Sequence, residues 1–234
     1  MNQFNVSGTR ILNKALISLA ILAITLPVIG CSSNDNVKSF GKMEQKNHNL
    51  QGRLLPSPIE KNNVALQTSD GKTFMLEKDT KNQVVLLAVG YASCPDICPM
   101  HLSVLAGAYN NLPVNMQRDT KIIFVSADPE RDKEKISSWT QQFHQDFIGV
   151  TGNEKNLTAF QNALKIPAAV LEKESTNSEN YAVSHASWIT VFTKDNLAHF
   201  IYPLGITQKE WVTDLEIIHK NKWEVNKYLL TIGA

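Results

Sequence analysis

The sequence predicts an α/β domain with a mostly parallel central sheet, helices on both faces and an added β-hairpin. Three observations predict it. Residues 83–89 (QVVLLAV) and 120–126 (TKIIFVS) are apolar runs of strand length, the pattern of strands buried on both faces. Segments with apolar residues at helical spacing alternate with these runs, which implies parallel strands covered by helices. Near the C-terminus, Asp195-Asn196 separates two further short apolar runs, the mark of an antiparallel return.

Each element has its own signal. Residues 64–68 and 73–76 flank Ser69-Asp70-Gly71-Lys72, and Asp-Gly between short apolar runs predicts a hairpin. Strand 83–89 leads into a loop, 90–99, that turns into a helix over 101–111. Leu102, Leu105, Ala106 and Tyr109 lie at helical spacing there, and Leu112-Pro113 ends it. After strand 120–126, Asp128 is placed to cap a helix whose first position takes Pro129. That helix carries Ile136, Trp139 and Phe143 on one face. Residues 147–151 read as a short strand, and 154–165 as a helix with Leu157, Phe160 and Leu164 inward, interrupted by Pro167. Residues 168–172 and 181–184 flank a polar turn, 173–180, as a surface hairpin. A third core strand spans 186–193, and 198–202 returns antiparallel to it. A last helix spans 207–228, with Trp211, Leu215, Ile218 and Trp223 available to pack.

The N-terminal part reads differently. Arg10 and Lys14 bracket the start of an apolar run over 15–30, the layout of a secretory signal. At ~16 residues it falls short of the ~20 that span a bilayer as a helix. It ends in Val28-Ile29-Gly30-Cys31, which resembles the lipobox of bacterial lipoproteins and implies cleavage before Cys31 and a lipid on its thiol. Residues 32–50 are rich in Ser, Asn and Lys, too polar to offset the entropy of ordering them. The expected organisation is a lipoprotein signal peptide over 1–30, a flexible tether over 31–52 and one domain over 53–234. That domain faces the periplasm from the cell membrane.

Charge excludes one class of partner. With 23 basic and 22 acidic residues and no block of one sign, the chain lacks the basic face that nucleic acid requires. Of three cysteines, Cys31 belongs to the lipobox, which leaves Cys94 and Cys98 in an exported, oxidising compartment. A disulfide stabilises more the longer the loop it closes. A pair four positions apart closes almost nothing, so its use is chemical. A cysteine pair at the first strand-to-helix turn of such a domain is the thioredoxin-like arrangement.

The local sequence is Tyr91-Ala92-Ser93-Cys94-Pro95-Asp96-Ile97-Cys98-Pro99. Positions i and i+4 of a helical turn share a face with Cβ atoms ~5–6 Å apart. Two sulfurs so placed can converge on a metal ion or form a disulfide. Pro99 in the first helical turn puts Cys98 at the helix N-terminus, where the dipole favours thiolate. Redox motifs usually place two residues between their cysteines, not three. Thiolates select soft metals, Cu(I) above all, and imidazole also suits copper. Of the six histidines, His48 lies in the tether, His101 on the helix beside the cysteines, and His199 in the return strand. His144 and His219 read as surface residues or helix C-terminal charge partners. His185 enters the third core strand, at the sheet end that faces the Cys turn in a thioredoxin-like fold.

Three separated blocks resemble the SCO/SenC family of copper-binding thioredoxin-like proteins. They are Gly90-Tyr91 through Cys94-Pro95-Asp96-Ile97-Cys98-Pro99; Phe124-Val125-Ser126-Ala127-Asp128-Pro129-Glu130-Arg131-Asp132; and Tyr181-Ala182-Val183-Ser184-His185-Ala186. The resemblance implies that Cys94, Cys98 and His185 are ligands of copper, as Cu(I) or Cu(II), with Cys94 and Cys98 also a redox-active pair. It implies supporting roles for Asp96 in the Cys loop and for Asp128, whose helix-cap reading stands beside it. It further implies assembly of the copper centre of cytochrome c oxidase, with that enzyme's copper-bearing subunit or another copper chaperone as partner. Ser184 stands where the family usually has Asp, and Ala186 where it has Ser. A periplasmic thiol:disulfide oxidoreductase without physiological copper is the competing reading, and a third ligand at His185 favours the metal.

Overall fold

The computed structural model describes residues 50–172, 181–221 and Trp223. The expected signal peptide, Cys31, the tether up to residue 49 with His48, and the polar turn 173–180 lie outside them. In chain order the elements are β1 (Arg53–Glu60), β2 (Leu66–Gln67), β3 (Thr73–Phe74), α1 (Leu76–Asp79), β4 (Val84–Gly90), α2 (Ile97–Asn110), α3 (Val114–Arg118) and β5 (Thr120–Ser126). There follow α4 (Pro129–Asp132), α5 (Ile136–Gln141), β6 (Ile148–Val150), α6 (Glu154–Ala163), β7 (Val170–Glu172), β8 (Ala182–Ser184), β9 (Ile189–Phe192), β10 (Leu197–Tyr202) and α7 (Gln208–Lys220).

The central sheet runs β1-β10-β9-β4-β5-β6. Alternation along its middle strands builds two cores. Val84, Leu86 and Ala88 face one layer with Leu102, Leu105, Trp211 and Leu215, so α2 and α7 cover that side. Val85, Leu87 and Val89 face the other with Phe74, Leu157 and Phe160, under β3 and α6. Both faces of β4 are covered, which is why its sequence is an unbroken apolar run. The expected α/β architecture holds, but the sheet is mixed rather than mostly parallel. Among the described residues only β4 with β5 and β5 with β6 pair in parallel, whereas β9 lies antiparallel to β4. The chain reaches β9 through the β7–β8 hairpin instead of directly from a crossover helix, and it enters the sheet from the opposite end.

Two further differences have local causes. β1 was not expected because Pro56 and Pro58 interrupt its pattern; it pairs on one side only, with β10, and proline is tolerated on such an edge. The helix expected after Asp128 is two short ones, α4 and α5, and the Asp128 side chain does not cap. The last described helix ends at Lys220, and its start is a full capping box between Thr207 and Glu210. The 69–72 turn, with Gly71 at φ 79°, and the turn at Asn196, at φ 68°, occur where the sequence puts them. Among the described residues no helix is long and apolar enough to cross a membrane.

Candidate metal centre

The end of β4 fixes the first half of the site. Gly90 closes the strand, and α2 starts at Ile97 with Asp96 as its N-cap residue. Cys98 is therefore in the first helical turn, as the sequence implies, and points into the core at 2 % exposure. Cys94 lies in the preceding loop, half-buried, with its N–H donated to the Tyr91 carbonyl at 3.1 Å. Both cysteines are free thiols. The second half of the site comes from the hairpin of β7 and β8, whose exit carries His185.

Cys94, Cys98 and His185 converge: their ligand atoms all lie within 4.8 Å of one another. The Cys98 sulfur is 3.6 Å from His185 Nε2. His185 Nδ1 is 3.0 Å from the Ala186 carbonyl oxygen, which can only accept. Nδ1 therefore donates to that carbonyl, and Nε2 is the ring atom that faces the sulfurs. Two soft sulfur donors and one imidazole nitrogen suit Cu(I), with the nitrogen adding affinity for Cu(II).

The two thiols differ in acidity, and not in the order the helix dipole alone implies. Burial pushes the Cys98 thiol far up, opposed by the Tyr91 main chain and reinforced by Cys94 and by Asp132. Cys94 ends below its ordinary value. Burial pulls it up, but the N–H groups of Asp96, Cys98 and Ile97 and the Cys98 thiol outweigh that. The helix N-terminus thus serves Cys94, which hangs over it. Cys98, inside the first turn, is desolvated instead.

Asp96 contributes through its main chain; its carboxylate is exposed and makes no cap bond. Asp128 is fully buried, pairs with Arg131 and accepts the Tyr181 hydroxyl at 2.8 Å. Asp132, to which sequence reasoning gave no role, touches the Cys loop directly. Its buried carboxylate accepts the Ala92 N–H at 2.7 Å and the Ser126 hydroxyl at 2.6 Å. Its place inside a charged helical stretch gave no sign of burial.

The other histidines stand apart. His101 is buried on α2, its Nε2 has no hydrogen-bond partner among the described residues, and it is not in the converging group. Burial, and then His185, lower its pKa. His199 pairs with Asp195 at 2.7 Å. His219 contacts the Thr120 hydroxyl at 2.8 Å, and burial, then Lys194, lower its pKa to about 4, so it is neutral at pH 7 rather than a helix-end charge.

Comparison with known proteins agrees with this geometry. The family model described as SCO1/SenC matches residues 59–219, more than half of the chain. The chain belongs to the SCO1/SenC family. A Stutzerimonas stutzeri protein named for copper binding is 28% identical over 79% of this chain and 83% of its own length. An SCO2-like protein of Rickettsia typhi is 29% identical over 83% of this chain and 91% of its own. The solution structure of apo Sco1 from Thermus thermophilus superposes with a TM-score of 0.61 at 27% identity, covering 76% of this chain and 96% of that one. The thioredoxin-like arrangement expected from the Cys turn is thus that of an SCO1/SenC protein.

Proposed function

We propose that this chain is a copper-binding protein that serves assembly of the copper centre of cytochrome c oxidase, with Cys94, Cys98 and His185 as its copper ligands. The observation that carries the reading is the convergence of these three donors from two separate elements. A purely redox thiol pair needs no third donor. The copper-binding relative and the family membership support the same reading. Cargo copper would be taken up by Cys94 and Cys98 as thiolates, with His185 Nε2 completing the set. The half-buried Cys94 is the donor from which an incoming metal or an acceptor's ligand is first met. The partner would be the copper-bearing subunit of the oxidase or another copper chaperone.

The lipobox-like Val28-Ile29-Gly30-Cys31 supports a lipid anchor at Cys31, with the domain on the periplasmic side of the cell membrane. In this proposal 1–30 is the signal peptide, 31–52 the tether and 53–234 the domain.

The asymmetry of the thiols favours a second activity on the same residues. A Cys94 thiolate can attack a substrate disulfide and expel one substrate thiolate, giving a mixed disulfide. Cys98 then loses its proton, displaces the second thiolate and closes the Cys94–Cys98 disulfide. Two electrons have passed to the substrate, whose two thiolates take up the proton from Cys98 and one from solvent. Such a step would reduce a partner's cysteines before they receive metal.

Titration of the reduced protein with Cu(I) and Cu(II) tests the copper reading. One copper per chain is expected, with tight binding lost in Cys94→Ser and in Cys98→Ser, because a hydroxyl does not replace a soft thiolate. His185→Ala should weaken Cu(II) more than Cu(I), which two thiolates alone can satisfy. Unchanged affinity in either cysteine variant defeats the copper reading and leaves the reductase.

A further inference from the structure

His185 is carried by an element that the central sheet does not hold. Among the described residues β7 and β8 pair only with each other, as a separate two-stranded sheet. An isolated two-stranded hairpin is marginal in water. The position of the third donor therefore depends on how the side chains of this hairpin attach to the body of the domain.

Val183 and Tyr181 pack in the core, and one arginine adds a polar attachment that reaches the Cys loop as well. The Arg131 guanidinium lies 3.7 Å from the centre of the Tyr181 ring, at the start of the segment that leads to His185. The same guanidinium lies 5.4 Å from the ring of Tyr91, in the Cys loop. Its Nε pairs with Asp128, which is fully buried and also accepts the Tyr181 hydroxyl at 2.8 Å. Tyr91 in turn presents its ring to the His185 imidazole, edge to face, at 5.9 Å and 79°. One cation thus joins the loop that bears Cys94 to the hairpin that bears His185, and a buried carboxylate fixes both the cation and the hairpin tyrosine. A planar guanidinium can stack on two rings while its edge holds a carboxylate, which an ammonium cannot reproduce.

We propose that the Tyr91–Arg131–Tyr181 stack, fixed by Asp128, is a clamp that seats His185 over the cysteine pair, making Arg131 the positioning residue for the third copper ligand. The proposal rests on the copper reading only for its metal-binding consequence. Its structural claim, that Arg131 holds the hairpin, stands without metal. It accounts for three motifs far apart in the sequence: each contributes one layer of the stack or one ligand beside it. Arg131 is a positioning residue here, since it acts through the two rings and Asp128.

Two variants, Arg131→Met and Tyr181→Phe, test the clamp, with Arg131→Lys as the conservative control. The first removes the cation; the second keeps the ring and removes the hydroxyl's bonds to Asp128 and Glu130, so it stays informative if the first does not fold. Amide hydrogen exchange of the copper-free protein is the first readout. Faster exchange across Ala182–Ser184 is expected, larger in Arg131→Met, with the amides of Thr120–Ser126 still protected. Copper titration is the second. Cu(II) affinity should fall about tenfold or more in Arg131→Met, as for residues that orient a metal ligand, while Cu(I) affinity holds. Arg131→Lys should recover only part of the loss.

Unchanged exchange across β8 in both variants overturns the clamp, whatever the copper result. So does equal loss of protection in β5, which marks general destabilisation, and so does an equal fall in both copper affinities. If the wild-type protein binds no copper at all, the copper reading fails alone, and the exchange data still decide whether Arg131 holds the hairpin.

Discussion

Replacing Gly90 with alanine should damage the fold and the metal centre together. A Cβ built on Gly90 would lie 2.4 Å from the Cys98 sulfur and 2.9 Å from Phe124 Cζ. Unstrained contacts of this kind are ~3.5–4.0 Å, so something must give by more than about 1 Å. Neither neighbour has room: Cys98 is 2 % and Phe124 1 % exposed, and the Phe124 ring is backed by Trp139 at 5.0 Å. Overpacking of this kind costs ~1–3 kcal/mol. Alanine in a strand regains roughly 0.5–1 kcal/mol of backbone entropy relative to glycine. A net loss of about 1–2 kcal/mol remains, which at this chain length lowers the midpoint by roughly 2–8 °C. The displaced sulfur is a proposed ligand, so copper affinity and the thiolate-to-copper absorption should change as well. Urea unfolding of the reduced protein gives the first number and copper titration the second. Gly71→Ala is the control: nothing lies within 4 Å of its added Cβ, and it loses only the ease of φ 79°. Wild-type stability and an unaltered copper spectrum in Gly90→Ala would refute the packing argument.

Other outcomes follow from single residues. His219 is neutral in the native state, with a pKa of about 4 against 6.5. Between those values the unfolded chain binds a proton that the folded one refuses, so stability falls as the pH drops from about 6.5 to about 4. His219→Asn should flatten that part of the melting-temperature profile, and an unchanged acid slope counts against the assignment. Thr207→Ala removes the capping box of α7 and should cost about 1 kcal/mol in a denaturant titration. His101→Ala should leave both copper affinities as they are, because His101 lies outside the converging donors; loss of Cu(II) binding there would move the third ligand onto α2. Cys31→Ser should leave the precursor uncleaved or without lipid, whereas a native protein that keeps Met1 and carries no lipid contradicts the lipobox reading.

The buried middle of the domain was legible because its sequence has one use. Residues 83–89 and 120–126 have no polar side to turn outward, and they form β4 and β5 within a residue of the expected bounds. The Cys turn and the hairpin strands 170–172 and 182–184 were legible from turn residues and spacing, whereas the full donor set followed from the resemblance of the three sequence blocks. What stayed hidden depends on partners distant in the chain. Strand direction is one case: residues 189–192 read the same parallel or antiparallel, and only the route of the chain decides. Asp132 is another, since a carboxylate among Glu130, Arg131 and Lys133 looks solvated until the Ala92 N–H is found against it. The acidity order of Cys94 and Cys98 is a third. Proximity to a helix N-terminus is written in the sequence, but the depth at which each sulfur sits is not.

The register of the antiparallel strands fixes where the chain enters the domain. Tyr202 pairs with Ile189, Ile189 with Ala88, and Arg53 with Ile201. The beginning of β1 is therefore at the same end of the sheet as Gly90 and the cysteines. Just before it, the Gln51 N–H is bound to Asp214 at 2.7 Å. Between β1 and β4 lie three strand-to-strand steps of ~4.8 Å, so the point of entry is offset sideways from the end of β4 by roughly 15 Å. The described chain thus enters the domain on the side of Cys94, so a partner that reaches Cys94 approaches the domain from its entry side.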